Sequence, residues 1–184
     1  MLDPDQILAR TGGREIRRVV LTPERIRERV EEMGEEIAAY YPAGEDLLLV
    51  GLLKGSFIFV GDLVRALPRP LQVDFLVASS YGDATTSSGS VRLLYDPEAD
   101  LRGKHVVLVE DIVDSGTTLN RLIPLLRERG PRSLEMCALL HKRIASHLEL
   151  EPRWVGFDAP NEFLVGYGLD YSENFRNLPF IASL

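Results

Sequence analysis

The sequence predicts an α/β domain, a mostly parallel central sheet flanked by helices, with a small hood at its C-terminal end. Three observations carry that expectation. Apolar runs at residues 46–53, 106–109 and 133–140 are continuous rather than alternating, as in strands buried on both faces. Two of these runs pass through a short polar turn into a helix-like apolar stripe, the strand–loop–helix unit of α/β sheets. Residues 154–171 then change character: aromatics, glycines and turn signals there suggest short irregular strands that do not simply extend the sheet.

The elements follow in order. Residues 7–10 make at most a short helical turn, and residues 15–21 read as a strand. Thr22 caps a helix over 23–40, with Pro23 at its first position and Glu24 in its first turn. Ile26, Val30, Met33 and Ile37 share one face of that helix, and its Arg and Glu residues form a solvated one. The strand at 46–53 leads through Lys54-Gly55-Ser56 into an apolar helix over 57–67, ended by Pro68. Residues 72–80 form a further strand, and 91–95 return as its hairpin partner. Between them, residues 80–89 read Ser-Tyr-Gly-Asp-Ala-Thr-Thr-Ser-Ser-Gly, a polar loop of the kind that serves as an active-site lid.

The strand at 106–109 is followed by Glu110, Asp111 and Asp114 between strand and helix, then Ser115-Gly116-Thr117-Thr118. A helix over 119–129 carries Leu119, Leu122, Ile123, Leu125 and Leu126 on its apolar stripe and closes at Gly130. The strand at 133–140 ends in His141-Lys142-Arg143. His141 and His147 read as surface histidines, because no cysteine or acid completes a metal-ligand spacing. Trp154, Phe157 and Phe163 read as core, Trp154 with no other role.

Bulk properties narrow the function. A chain of 184 residues suits one domain, with a core over about 20–150 and a hood mainly from 151–184 and the N-terminus. Its 45% apolar and 27% charged residues are an ordinary globular mixture. No apolar run approaches the roughly 18 residues of a membrane span, and the first residues lack a signal peptide's pattern. The single cysteine, Cys137, excludes an internal disulfide and fits a reducing cytoplasm. A net charge of -7 argues against broad nucleic-acid binding. Lysine is scarce: only Lys54, Lys104 and Lys142 occur, two of them at strand ends.

The stretch 106–119 carries the chemistry. Small hydroxylated residues feeding a helix N-terminus offer unpaired N–H groups to an anion, with phosphate the obvious one. Carboxylates beside such a site suit sugar hydroxyls or Mg²⁺ that in turn carries phosphate oxygens. A ligand with ribose hydroxyls, a phosphate and a metal-bound pyrophosphate would use every group. The bland alternative is a strand–turn–helix junction whose acids and Thr117 merely cap the helix. There is no Gly-Lys-Ser/Thr ending and no Gly-x-Gly-x-x-Gly, so neither common phosphate-loop motif applies.

These residues resemble the phosphoribosyl-pyrophosphate signature of type I phosphoribosyltransferases. Leu53-Lys54-Gly55-Ser56 resembles the pyrophosphate loop of the hypoxanthine-guanine members, and residues 154–171 resemble their base-binding hood. The resemblance covers about residues 47–178 in four motifs in the right order. It implies the type I phosphoribosyltransferase fold and transfer of phosphoribose from phosphoribosyl pyrophosphate to hypoxanthine or guanine, giving IMP or GMP and pyrophosphate. It implies Asp114 as the general base at the purine. Glu110 and Asp111 would hold ribose hydroxyls directly or through metal. Ser115, Gly116, Thr117 and Thr118 would grip the 5′-phosphate, and Lys54, Gly55 and Arg176 the pyrophosphate. Phe163 would stack on the purine, Leu164 would offer it backbone groups, and Lys142 would face its 6-position. Ser80 and Tyr81 would open the lid, and Mg²⁺ would meet Glu110, Asp111 and Asp170. A cis Leu53–Lys54 peptide and a homo-oligomer, dimer or tetramer, are also implied.

Two other readings compete. A uracil enzyme of the same fold that doubles as an RNA-binding pyrimidine regulator would share the central motif. It would lack the Phe163…Asp170 pattern and would need a basic face. A receiver-type α/β domain would need its acid cluster on separate early strands, whereas Asp111 and Asp114 lie mid-chain with a phosphate loop behind them.

Overall fold

The computed structural model describes residues 4–80, 91–145 and 147–184. In chain order the elements are α1 (Pro4–Thr11), β1 (Arg18–Leu21), α2 (Pro23–Tyr40), β2 (Leu47–Leu53), α3 (Phe57–Ala66), β3 (Gln72–Ser80) and β4 (Val91–Tyr95). They continue with β5 (His105–Val113), α4 (Thr117–Arg127), β6 (Ser133–His141), β7 (Trp154–Asp158), β8 (Leu164–Val165) and β9 (Ile181–Ser183).

The uniformly apolar runs make the middle of a six-stranded sheet in the order β4-β3-β2-β5-β6-β7. Every pairing is parallel except the β3–β4 hairpin at one edge. Alternation then sorts the side chains into two layers. Leu47, Leu49, Val107, Val109, Cys137 and Leu139 pack toward Ile26, Val30, Met33 and Ile37 of α2 and Phe59, Val60 and Leu63 of α3. Leu48, Val50, Val106, Leu108, Met136 and Ala138 pack on the other face against Leu119, Leu122, Ile123 and Leu126 of α4. Burying each such side chain contributes roughly 1.5–3 kcal/mol, so both faces of the sheet are committed.

α2 begins where its signals place it: Thr22 Oγ1 accepts from the Arg25 N–H at 3.3 Å. Its far end leaves carbonyls without helical partners, and Arg69 meets several of that turn and the loop beyond. The guanidinium donates to Tyr41 O, Pro42 O and Glu45 O at 2.8, 3.0 and 2.9 Å. Trp154 is buried against Tyr40, ring centroids 5.4 Å apart, in the structural role expected of it.

A second, three-stranded sheet, β1-β9-β8, forms the hood. Val165, Phe175, Leu178, Phe180 and Ala182 are its core, with Ile7, Ile16 and Val19 packed against them from the N-terminal segment. Tyr167 Oη donates to Asp62 Oδ2 at 2.6 Å and ties the hood to α3.

Several expectations need correction. β5 does not stop at Val109 but pairs with β6 as far as Val113↔His141, so Glu110 and Asp111 are strand residues. The backbone ladder continues where the side chains turn acidic because the strand has reached the open end of the sheet. α4 starts at Thr117, two residues before its apolar stripe, ends at Arg127 and carries Pro124 inside it. Leu125, expected on the stripe, is exposed. β7 is a parallel edge strand of the main sheet, not an irregular hood strand, because β6 offers it a free edge from Cys137 to His141. β1 is confined to Arg18–Leu21 and belongs to the hood. The turn at 7–10 is part of the eight-residue helix α1. His141 is buried at 4% exposure, not a surface histidine. No described helix is long and apolar enough to cross a membrane.

Candidate active site

The sheet order reverses between β2 and β5. In open α/β sheets a ligand binds outside the carboxyl ends of the strands at such a switch point. The turns after β2 and β5 meet there, and the hood closes from the side.

The β2 turn is held by Ser56, whose buried hydroxyl donates to Leu52 O at 2.7 Å. The Leu53–Lys54 peptide is cis, as the resemblance implies. Gly55 is dictated by contact: a methyl group there would lie 2.5 Å from Asp111 Cγ and closer still to Oδ2. A methyl on Gly168, at φ +102, would in turn strike the carbonyl oxygen of Gly55. Hood, the turn after β2 and β5 are therefore stacked through two glycines.

At the end of β5, Gly116 (φ 76) caps α4 without a side chain, so of the first-turn N–H groups only that of Thr117 meets a nearby side chain, Ser115 Oγ at a long 3.5 Å. Ser115 Oγ and Thr117 Oγ1 are 3.1 Å apart beside them, a cluster of donors suited to an anion. The two strand acids are both held back from ionising. Burial, then the Asp111 charge, lifts Glu110 well above the usual carboxylate range, and its Oε2 is shielded without a hydrogen-bond partner. Burial lifts Asp111 to about 6, opposed by its own and the Ile112 N–H and by the Arg176 charge.

Beyond β6, Lys142 donates from Nζ to Asp114 Oδ2 at 2.9 Å, the lysine side chain 11% exposed and the aspartate 48%. In the hood, Phe163 is 53% exposed and meets Tyr171 edge-on, centroids 5.4 Å apart. Arg176 donates to Gly168 O at 2.7 Å and pairs with Asp170 Oδ1 at 2.7 Å.

One cavity of about 460 Å³ collects Lys54, Gly55, Asp111, Asp114, Lys142, Phe163, Leu164, Asp170 and Arg176 on its wall. Glu110, Ser115, Gly116, Thr117 and Thr118 lie beside it rather than on it. Ser80 ends β3, while Tyr81 and the rest of the expected lid fall outside the described residues. Glu110, Asp111 and Asp170 do not converge into a three-acid metal cluster. Sequence reasoning missed Ile112, Leu169 and Glu173 on this wall. Ile112 follows from β5's continuation; Glu173 has no local signal, since its partner Lys54 is 119 residues away.

A crevice at the switch point, with a helix start rich in N–H and hydroxyl donors, a cationic turn after β2 and an aromatic hood, is the arrangement of a phosphoribosyltransferase. The sequence profile of the Phosphoribosyl transferase domain matches residues 20–172. The hypoxanthine-guanine phosphoribosyltransferase of Mycobacterium tuberculosis is 50% identical over 92% of this chain and 87% of its own. The hypoxanthine phosphoribosyltransferase of Salmonella typhimurium is 43% identical over 90% and 94%. A crystal structure of the Staphylococcus aureus hypoxanthine phosphoribosyltransferase superposes with a TM-score of 0.89 at 37% identity, covering 99% of this chain and 96% of that one. The chain belongs to the hypoxanthine-guanine phosphoribosyltransferase family.

Proposed function

We propose that the protein is a purine salvage enzyme. It transfers the phosphoribosyl group of 5-phosphoribosyl 1-pyrophosphate to hypoxanthine or guanine, giving IMP or GMP and pyrophosphate. The observation that carries this reading is the Lys142–Asp114 pair, its lysine buried, on the wall of one cavity that also holds Phe163, Lys54 and Arg176.

Displacement at C1′ breaks the bond to pyrophosphate and forms the bond to the purine. Positive charge builds on the ribose, negative charge on the leaving group, and the purine sheds a proton. Lys54 and Arg176 stabilise the leaving charge. Asp114 takes the purine proton at N7 as general base. Glu110 and Asp111 receive the ribose hydroxyls, and the donors at 115–118 fix the 5′-phosphate so that C1′ is aligned. Phe163 stacks on the base while Leu164 presents backbone groups. Lys142 carries donors only, so it suits a 6-oxo acceptor and finds no lone pair on adenine's amino group.

The acids fit Mg²⁺ in one way. Asp170 and Asp111 lie on the cavity wall with Asp114 and Glu173, and no three of these acids gather at one point, as for an ion held by one or two carboxylates and completed by substrate oxygens. Such an ion would neutralise the leaving pyrophosphate, with Asp170 its main protein ligand and Glu110 and Asp111 reached through the ribose hydroxyls. A single domain working in the cytoplasm as a dimer or tetramer, with no nucleic-acid partner, completes the reading; light scattering measures the assembly.

The uracil alternative loses its ground to the Phe163…Asp170 hood and to relatives named for hypoxanthine. Assaying phosphoribosyl pyrophosphate and Mg²⁺ with hypoxanthine, guanine, xanthine, adenine and uracil tests the proposal. Turnover of hypoxanthine or guanine to the monophosphate is expected, and turnover of uracil alone overturns it.

A further inference from the structure

We propose that Glu173 is a built-in counter-ion of the pyrophosphate site, competing with pyrophosphate for Lys54 and Arg176 and so setting how tightly the enzyme holds its leaving group. The inference rests on the assignment of those two cations to pyrophosphate made above.

The Glu173 carboxylate bridges them. Its Oε1 lies 3.0 Å from Lys54 Nζ, and its Oε2 lies 3.3 Å from an Arg176 guanidinium nitrogen. Two oxygens on one carbon offer these cations much the same bite as two oxygens on one phosphorus. The main chain directs the side chain there. Ser172 and Glu173 are both left-handed, at φ 51 and 62, in a tight turn where Tyr171 and Asn174 exchange N–H···O bonds of 3.1 Å. The Glu173 N–H donates to Asp170 Oδ2 at 2.8 Å, locking the turn to the acid that also pairs with Arg176. Lys54 and Arg176 therefore face Glu173 and Asp170, two positive charges against two negative ones, within the same cavity wall.

Pyrophosphate, carried by the substrate or leaving as product, must displace Glu173 to reach both cations. The side chains of Glu173 and Lys54 are 66% and 64% exposed, so water and salt weaken the contact and displacement is easy. Glu173 is thus a competitor rather than a block. It loosens the pyrophosphate end of the site without touching the purine end.

Titrating Mg²⁺-pyrophosphate into the full chain tests this. Glu173→Gln is expected to lower the pyrophosphate dissociation constant roughly three- to tenfold, the worth of one or two exposed ion pairs. KM for phosphoribosyl pyrophosphate falls by a similar factor, while KM for hypoxanthine does not move. Glu173→Gly removes the carboxylate and accepts the left-handed backbone, and must tighten binding likewise. Glu28→Gln, the same charge change on α2 outside the cavity, leaves all three constants alone. Equal or weaker pyrophosphate binding in both Glu173 variants overturns the inference and leaves the pyrophosphate site standing. Failure of the wild-type protein to bind pyrophosphate overturns the site as well.

Discussion

Gly55→Ala is the sharpest structural perturbation of the site. The added methyl would sit 2.5 Å from Asp111 Cγ and 2.9 Å from Oδ1. Carbon atoms rest at about 3.5–4.0 Å, so one group must move by an ångström or more. Asp111 is 8% exposed, so it has little room to swing aside. Forcing an extra methyl into such a packed site costs roughly 1–3 kcal/mol. For a chain of this size that lowers Tm by roughly 2–12 °C. Because Asp111 is assigned to the ribose, KM for phosphoribosyl pyrophosphate should rise at least about tenfold. Thermal denaturation and steady-state kinetics read both effects. The double variant Gly55→Ala, Asp111→Ala must destabilise less than the two single changes added together, since the clash is relieved. Strict additivity, or a single variant with wild-type Tm and KM, would refute the stacking of Gly55 on Asp111.

Two further outcomes follow from the same geometry. Lys142→Ala should raise KM for hypoxanthine and guanine roughly 10–100-fold and narrow their advantage over adenine, with KM for phosphoribosyl pyrophosphate nearly unchanged; loss of phosphoribosyl pyrophosphate affinity instead would move Lys142 to the phosphate site. His141 is buried without a hydrogen-bond partner on either ring nitrogen, and burial, then Arg143, pushes its pKa down. Below about 6.5 the unfolded chain therefore binds the extra proton more readily, and stability falls as pH drops, by at most about 1.4 kcal/mol per pH unit until the folded pKa is reached. Glu110 and Asp111 act in the opposite sense, so the comparison is wild type against His141→Gln: the variant should lose less Tm between pH 7.5 and 5.5, and equal losses would discard the assignment.

The parts of the fold legible in the sequence are those fixed by local chemistry. Thr22 and Pro23 mark the start of α2 to the residue, and the strands at 72–80 and 91–95 have the observed bounds because turn residues punctuate them. What the sequence hides depends on partners far along the chain. β5 runs past Val109 only because β6 continues beside it, and β7 joins the sheet because β6 leaves an edge uncovered. The site divides the same way. The donors around Ser115 and the acid-rich strand end speak for phosphate and sugar by themselves. Phe163, Lys142 and Arg176 carry meaning only through the family pattern, and Glu173 only through the fold that brings it to Lys54.

The claim that Asp114 does the chemistry at the purine is tested most directly by the single-turnover rate of Asp114→Asn with saturating phosphoribosyl pyrophosphate and hypoxanthine. Loss of the general base predicts a rate lower by roughly 10²–10⁴, with phosphoribosyl pyrophosphate affinity and Tm close to wild type. A rate near that of the wild-type enzyme at every pH would contradict it and leave Asp114 as a structural partner of Lys142.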